Sequence, residues 1–374
     1  LDAGIPFWMY ILGFPLLLGP LVTLHELGHY LVGRWFGVQA EAFSVGFGKE
    51  LAGFTDRHGT RWKLSALPLG GYVQFKGDMN PASVPERGTL APGSQRDGTF
   101  QNAPLWQRAL IVAAGPATNV LVTLAIFAGF FMAVGKPVPV APERQLTIAG
   151  FAANSPAERA GLRPGDRITA IDGRPVADLR SLQDAVMLYP GKRLDVAFLR
   201  DGIERTVPVT ARSVEVKDRF GNASRIGLLG VRPASHADGY ARQGPIAAIG
   251  LAVEHSVRIV RMMVTGIAQI FTGERSVKEL GGPVKIAKYS GEQLSLGLLA
   301  FVNFVALISL NLAFINLLPI PGLDGGHLAF YAAEAVRRKP VGARGLELAY
   351  RTGMALVLAL MVFVTFNDLV SLAG

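Results

Sequence analysis

Long uncharged runs set the pattern of this chain. Ile5–Leu24, Ala109–Gly135, Gln293–Leu323 and Gly353–Asn367 are almost wholly apolar. Each reaches or approaches the roughly 20 residues that cross a bilayer as a helix, the last lying near the lower limit. The pattern predicts a polytopic α-helical membrane protein with about four transmembrane helices. Between the first two runs the period changes. "AFSVGFG" and "RWKLSA" alternate, which puts Phe43, Val45 and Phe47 on one face and Trp62, Leu64 and Ala66 on another. "TDRHGT" reads as the turn between them, so a β-hairpin is expected, its apolar face lying against or dipping into the membrane. Asn80–Gln101 is rich in Pro, Gly, Ser and charge and reads as a mobile loop. A second change comes at Arg144–Arg212, where short strands ("RQLTIAGF", "DRITAIDG", "RLDVAFLR", "ERTVPVT") bracket one helical stretch near Ser181–Leu188, the mark of an inserted soluble domain. Ala241–Gly273 is helical in period, but Glu254, His255, Arg258 and Arg261 interrupt its apolar positions, so it should lie on the surface rather than span.

These shifts divide the chain at residues 1–36 (first transmembrane helix), 37–108 (loop with the hairpin), 109–135 (second helix), 144–212 (soluble domain), 213–292 (linker and amphipathic surface helix), 293–323 (third helix), 324–352 (loop) and 353–372 (fourth helix). Basic residues crowd 37–108, which favours the cytoplasmic side for that loop. Composition narrows the class further. Of 374 residues half are hydrophobic and 17% charged, and the formal charge is +9. In so apolar a chain the basic excess reads as loops facing anionic lipid, not as nucleic-acid binding. Cysteine is absent, which excludes disulfides and thiolate metal ligands. The first run lacks a basic n-region and a small-residue cleavage site, so it is expected to be a span and not a signal peptide.

That first run also carries a chemical contradiction. "PLVTLHELGHYLVGRWFGV" holds two histidines and a glutamate inside an apolar helix, where a charge costs roughly 2.5–3.5 kcal/mol on insertion scales. "HELGH" is H-E-x-x-H. Residues i and i+4 share a helix face, so His25 and His29 can offer imidazole nitrogens to one zinc ion, with Glu26 beside them to take a proton from a water. A catalytic zinc takes three protein ligands and leaves a position open. His58, His236 and His255 are weak candidates for the third. Asp324 in "NLLPIPGLDGGHL" is stronger: Pro319 and Pro321 end the third span, and if the amphipathic helix does not cross, that span runs parallel to the first and delivers Asp324 to the depth of His25 and His29. His327 is the minor alternative. Asn119, Asn303 and Asn311 read as interhelical glue, and Asn316 as a residue near the metal depth.

Two resemblances organise these features. "SPAERAGLRPGDRITAIDGRPV" resembles the core of a PDZ domain over about 70 residues. HExxH in the first hydrophobic helix, "NLLPIPGLDGGH" after a later one and a PDZ domain between them resemble the site-2 protease family of intramembrane zinc metalloproteases, nearest its bacterial regulator-of-sigma-E protease (RseP) branch. "LPLGGYVQFKG", "AAGPATN" and "GGPVKIAKYSG" extend the likeness over nearly the whole chain. The resemblance implies Zn²⁺ held by His25, His29 and Asp324, with Glu26 as catalytic base. It implies substrate contacts from the hairpin at Val45, from Gly70, Gly71 and Tyr72, and from Asn316. The substrate it implies is a single-span membrane protein of the anti-sigma-factor type, with remnant signal peptides beside it. The site it implies is the bacterial inner membrane, with the PDZ domain on the extracytoplasmic side. One departure is clear: the best-known members of that branch carry two PDZ domains, and one is found here. A catalytically inactive PDZ scaffold is the alternative; a metal transporter ranks last, because the second span offers only Asn119 and small hydroxyl residues.

Overall fold

The computed structural model describes residues 5–77, 98–137, 146–217, 223–233, 240–274, 281–339 and 342–373. The Asn80–Gln101 segment, apart from its last four residues, lies outside them, as do His236 and Arg144. In chain order the helices are α1 (Phe7–Trp35), α2 (Leu105–Ala133), α3 (Pro156–Arg159), α4 (Leu179–Met187), α5 (Pro245–Phe271), α6 (Pro283–Ser295), α7 (Leu298–Asn316), α8 (Asp324–Arg337) and α9 (Ala343–Ala373). The strands are β1 (Ala40–Thr55), β2 (Arg61–Phe75), β3 (Lys136–Pro137), β4 (Ile148–Phe151), β5 (Arg167–Ile171), β6 (Arg174–Pro175), β7 (Arg193–Arg200), β8 (Ile203–Thr210), β9 (Arg212–Lys217), β10 (Ala223–Leu228), β11 (Val231–Pro233) and β12 (Tyr240–Ala241). The chain divides into two units: residues 1–128, 249–260 and 280–374, and residues 129–248 with 261–279.

Among the described residues four helices are long and apolar enough to cross a membrane: α1, α2, α7 and the Glu347–Val370 part of α9. Large apolar side chains such as Phe7, Trp8, Ile11 and Leu16 on α1 and Leu356, Val362, Phe363 and Phe366 on α9 lie exposed, as suits helices whose solvent is lipid. The helix α5 is not among the four, in keeping with the charges that interrupt it. Its buried positions Ala248, Ala252 and Ser256 recur every four residues along one face.

Within the first unit the spans pack through small residues. A Cβ on Gly13 would stand 2.8 Å from the backbone of Ser290 and Gly291, and one on Gly291 would stand 2.8 Å from Tyr10 Cα, so α1 and α6 meet backbone to backbone. Further along α1 a Cβ on Gly28 would stand 2.6 Å from the Ala114 carbonyl of α2. The α2–α7 contact is polar: Ser309 Oγ donates to Asn119 O at 2.9 Å, and Thr123 Oγ1 donates to Ala306 O at 3.1 Å. Residue numbers fall on one helix as they rise on the other in both pairings. So α2 is antiparallel to α1 and to α7, and α1 and α7 run parallel.

The third span is shorter than the apolar run suggested. Gly297, at φ 108°, separates α6 from α7, and α7 stops at Asn316, ahead of the two prolines. The segment 324–352, expected as a loop, instead contains α8 and the start of α9. The paired glycines 325 and 326 hid the helix. Both are needed for close approach: a Cβ on Gly325 would collide with the Leu317 and Leu318 carbonyls, and one on Gly326 with that of Ile320. The chain therefore reverses tightly after α7 and enters α8 with Asp324 in its first turn.

The hairpin is larger than the alternation indicated. Phe43 and Val45 face Val73 and Gly71 with the numbers running opposite, and they face Trp62 and Leu64 with the numbers rising together. Residues 50–55 return along 61–65. The two long strands thus bend into a sheet ordered 50–55, 61–65, 42–45, 71–75. Gly46 and Gly48, at φ 91° and 90°, make the bend and end the alternation, leaving Phe43 buried, Val45 half-buried and Phe47 exposed. Phe43 and Trp62 pack edge-on against Tyr30 of α1 and tilted on each other, with centroids 4.6–5.6 Å apart. Asp56 in the turn accepts from Tyr30 Oη at 3.2 Å and Trp62 Nε1 at 3.1 Å, tying the far end of the sheet to α1.

The second unit is β-rich. Its antiparallel sheet runs β6-β5-β7-β8, and Leu182 and Val186 of α4 join Ile168, Val196, Phe198 and Val209 in its core. Asp178 and Ser181 form a capping box on α4. The fold does not stop at Arg212: β11 pairs with β4, closing the unit from beyond β9 and β10. Asp166 is buried and holds Arg200 in a two-pronged pair, Nε to Oδ1 and Nη2 to Oδ2, each 2.7 Å.

Candidate metal centre

Histidine at positions 25 and 29 faces α2 because the helical period puts both on the stripe that carries Gly28. Their rings, 5% and 7% exposed, occupy a recess that glycine creates. A Cβ on Gly115 of α2 would stand 2.8 Å from His25 Cε1 and would collide with His29 Nε2. The neighbouring groups on α2 then bond the ring nitrogens that point away from the centre. His29 Nδ1 donates to the Ile111 carbonyl at 2.8 Å, which leaves Nε2 as a lone pair. His25 Nδ1 lies 3.2 Å from Asn119 Nδ2.

The first turn of α8 brings Asp324 to the same point. His25 Nε2 and Asp324 Oδ2 are 3.1 Å apart, His29 Nε2 and Asp324 Oδ1 3.6 Å, and the two Nε2 atoms 3.1 Å. Ligands about 2.0–2.2 Å from a tetrahedral zinc stand about 3.3 Å from one another, so these separations fit one such ion. Two imidazoles and a carboxylate are a known catalytic zinc set. Asp324 Oδ2 is buried and accepts no hydrogen bond among the described residues, although an imidazole nitrogen is so near. Two imidazole nitrogens and a carboxylate oxygen thus converge on one point. Among the described residues this is the one cluster of three or more such side chains able to share an ion.

Glu26 is half-buried, and its Oε2 accepts from the backbone N–H of Val73 at 3.1 Å. The strand segment that ends the sheet therefore lies alongside the cluster. It follows α1 closely: a Cβ on Gly70 would stand 3.3 Å from Val22, one on Gly71 3.8 Å from Thr23 Oγ1, and Phe75 covers Gly33. Gly70, Gly71 and Tyr72 thus stand on the strand that reaches Glu26, with Val45 and Ser44 as the cross-strand partners of Gly71 and Tyr72. Tyr72 stacks on Phe47. Asn316 is half-buried as the last residue of α7, and no hydrogen bond joins it to the cluster among the described residues. His327 turns away to Tyr350, Nδ1 to Oη 2.7 Å, and burial pushes its imidazole toward the neutral form. It is not part of the cluster, and His255 packs on Phe127 instead.

Two partners escaped the sequence reading. Ile111 contributes through its carbonyl, to which side-chain identity gives no clue. Asn119, expected as interhelical glue, is fully buried against a cluster histidine. The four-residue spacing of Ile111, Gly115 and Asn119, matching that of His25 and His29, is the signal that would have found it.

A chain with this cluster has close relatives. A protein of Rhizobium meliloti named "Putative zinc metalloprotease" is 44% identical over 96% of this chain and 96% of its own length. One of the same name from Agrobacterium fabrum is 42% identical over 98% and 97%. Metalloprotease MmpA of Caulobacter vibrioides is 34% identical over 98% and 96%. The profile of peptidase family M50 matches residues 13–360, a span that takes in the HExxH helix, the sheet, the β-rich unit and Asp324. This multi-pass membrane protein belongs to peptidase family M50.

Proposed function

We propose that the chain is an intramembrane zinc metalloprotease that hydrolyses peptide bonds within transmembrane segments of membrane proteins. His25, His29 and Asp324 are its zinc ligands and Glu26 its general base. The observation that carries this is the meeting of three ligand atoms at tetrahedral spacing, two from the apolar helix α1 and one from the first turn of α8, next to a carboxylate that is not one of them. Bound there, zinc supplies a Lewis acid for the scissile carbonyl and lowers the pKa of a water toward about 7. Glu26 takes the proton from the attacking water and returns it to the leaving amine. The Val73 N–H holds Glu26 Oε2, so the other carboxylate oxygen is left for that work. A helical substrate hides its carbonyls in its own hydrogen bonds and must unwind to react. The sheet segment Gly70–Phe75, ending beside Glu26, is where an unwound segment adds as a strand. Asn316 stands where α7 ends and helps hold the substrate backbone.

The finer assignments belong to the same proposal. The β-rich unit is a single PDZ domain on the extracytoplasmic side, gating access. The membrane is the bacterial inner membrane. The substrate is a single-span anti-sigma-type protein already trimmed outside, with remnant signal peptides as a second class. Their support is the basic loop at 37–108 and the PDZ-like run at Ser155–Val176.

The test uses purified protein in proteoliposomes with a single-span substrate. Asp324→Ala should lose zinc and activity together. Glu26→Gln should keep zinc and co-purify with intact substrate, while hydrolysis falls by roughly 10²–10⁴-fold. If the zinc-loaded chain cleaves no membrane segment and Glu26→Gln changes nothing, the protease reading fails and the scaffold replaces it.

A further inference from the structure

The α2 partner of His25 presents the wrong end of its amide for a metal ligand. Asn119 Nδ2, a donor, faces His25 Nδ1 at 3.2 Å, which makes Nδ1 the acceptor and puts the ring proton on Nε2. Nε2 is the atom that meets Asp324 and His29. An imidazole that ligates through Nε2 needs its lone pair there and its proton on Nδ1. His29 already has that arrangement, because the Ile111 carbonyl can only accept. Meanwhile Asn119 Oδ1 is buried and has no hydrogen-bond partner among the described residues. An amide's oxygen and nitrogen have nearly the same shape, and the network around them decides which way the group points.

Resting on the ligand assignment above, we propose that Asn119 is a positioning residue for the metal. It turns Oδ1 to His25 Nδ1–H and so fixes the tautomer that leaves Nε2 free to ligate. Its backbone is placed for this with little freedom. The Asn119 carbonyl accepts from Ser309 Oγ at 2.9 Å, and Thr123 Oγ1 one turn on donates to Ala306 O at 3.1 Å, which locks this turn of α2 against α7. The side chain is fully buried, so no water competes for Nδ1. One face of α2 thus treats the two histidines alike: an acceptor at 111 for one, an acceptor at 119 for the other, and Gly115 between them to admit both rings.

Zinc affinity of the full chain in detergent, measured by competition with a chromogenic chelator, tests this without recourse to activity. Asn119→Leu keeps the bulk and removes the acceptor, and should weaken zinc binding 10–100-fold, the usual effect of losing such a partner. Asn119→Asp can only accept toward Nδ1–H and should bind zinc at least as tightly as the wild type. A leucine variant with wild-type affinity overturns the proposal, and so does an aspartate variant that loses zinc as severely as leucine. Should either variant fail to fold, ¹⁵N-histidine spectra of the zinc-loaded wild type decide: a proton on His25 Nδ1 is required, and a bare Nδ1 refutes it. Asp324→Ala is measured alongside. If that variant keeps zinc, the ligand assignment itself has failed; if it loses zinc while Asn119→Leu does not, only the role of Asn119 has.

Discussion

Gly115→Ala adds one methyl group at the point where both imidazoles enter α2, and two opposing effects set the outcome. Alanine favours a helix over glycine by about 1 kcal/mol. Against this, the new Cβ would stand 2.8 Å from His25 Cε1 and closer still to His29 Nε2, where ordinary contact is 3.4–4 Å. Overpacking of this kind costs about 1–3 kcal/mol. The helices cannot part cheaply to relieve it, because Gly28 and the Ala114 carbonyl hold them together immediately beside it. Fold stability should therefore change by no more than about 2 kcal/mol. The metal is less forgiving. The rings must retreat by roughly half an ångström or more, and a ligand set tolerates about 0.2 Å. Zinc affinity should fall at least as far as it does on losing an outer-shell partner, about 10-fold or more, or about 1.4 kcal/mol upward. Chelator competition reads the affinity and thermal unfolding in detergent reads the stability. Gly129→Ala on the same helix is the control, since its Cβ meets nothing within 4 Å, and it should leave zinc binding alone. Unchanged affinity in Gly115→Ala would refute the recess as the reason for this glycine.

Asp56 tests how the sheet is tied to α1. Burial pushes its carboxyl up, but hydrogen bonds from Trp62, the His58 and Thr60 N–H groups and Tyr30 prevail and bring it from 3.8 to about 2. Because the folded value is the lower, the carboxylate stabilises the fold fully above the ordinary value, and that contribution fades as pH drops from about 4 to about 2. Protection of the β1–β2 amides, taken relative to the intrinsic exchange rate at each pH, should therefore fall across that window in the wild type. In Asp56→Ala it should already be low at neutral pH; equal protection in both would show the bonds to be idle. In the second unit, Asp166→Ala removes the carboxylate that the Arg200 guanidinium grips and should lower that unit's thermal transition while zinc content stays normal. An unshifted thermal transition would contradict this.

What the sequence announced about the fold follows from how local each signal is. Spans are legible because lipid requires a run of apolar residues whatever their neighbours. All four overlap their uncharged runs, but α1 continues past Leu24 through the histidine pair to Trp35, and α7 begins late because Gly297 breaks the backbone. The strand alternation at Ala42–Phe47 and Arg61–Ala66 was real but covered less than half of each strand. Pairing of 42–45 with both 61–64 and 71–75 depends on bends at Gly46 and Gly48, and no periodicity records a bend. α8 stayed hidden for the opposite reason: its opening glycines, read as a turn, serve close packing inside a helix.

The candidate centre divides along the same line. His25, Glu26 and His29 lie within one and a half turns of a helix, so a five-residue motif declares them. Asp324 lies nearly 300 residues away. It was reachable only by a topological argument, that a helix which does not cross makes the third span parallel to the first, and the antiparallel contacts of α2 with both α1 and α7 give that argument its physical form. The groups that orient the ligands could not be found this way. An asparagine in a membrane helix is by default a bond between helices, and a carbonyl carries no residue identity at all. What distinguishes α2 is a coincidence of spacing: two imidazoles at i and i+4 on one helix require something small at the centre of the facing helix and acceptors one turn to either side of it. Gly115, Ile111 and Asn119 occupy those places. The requirement comes from the ligands, and the stretch "IVAAGPATN" meets it with a glycine between two acceptors at four-residue spacing.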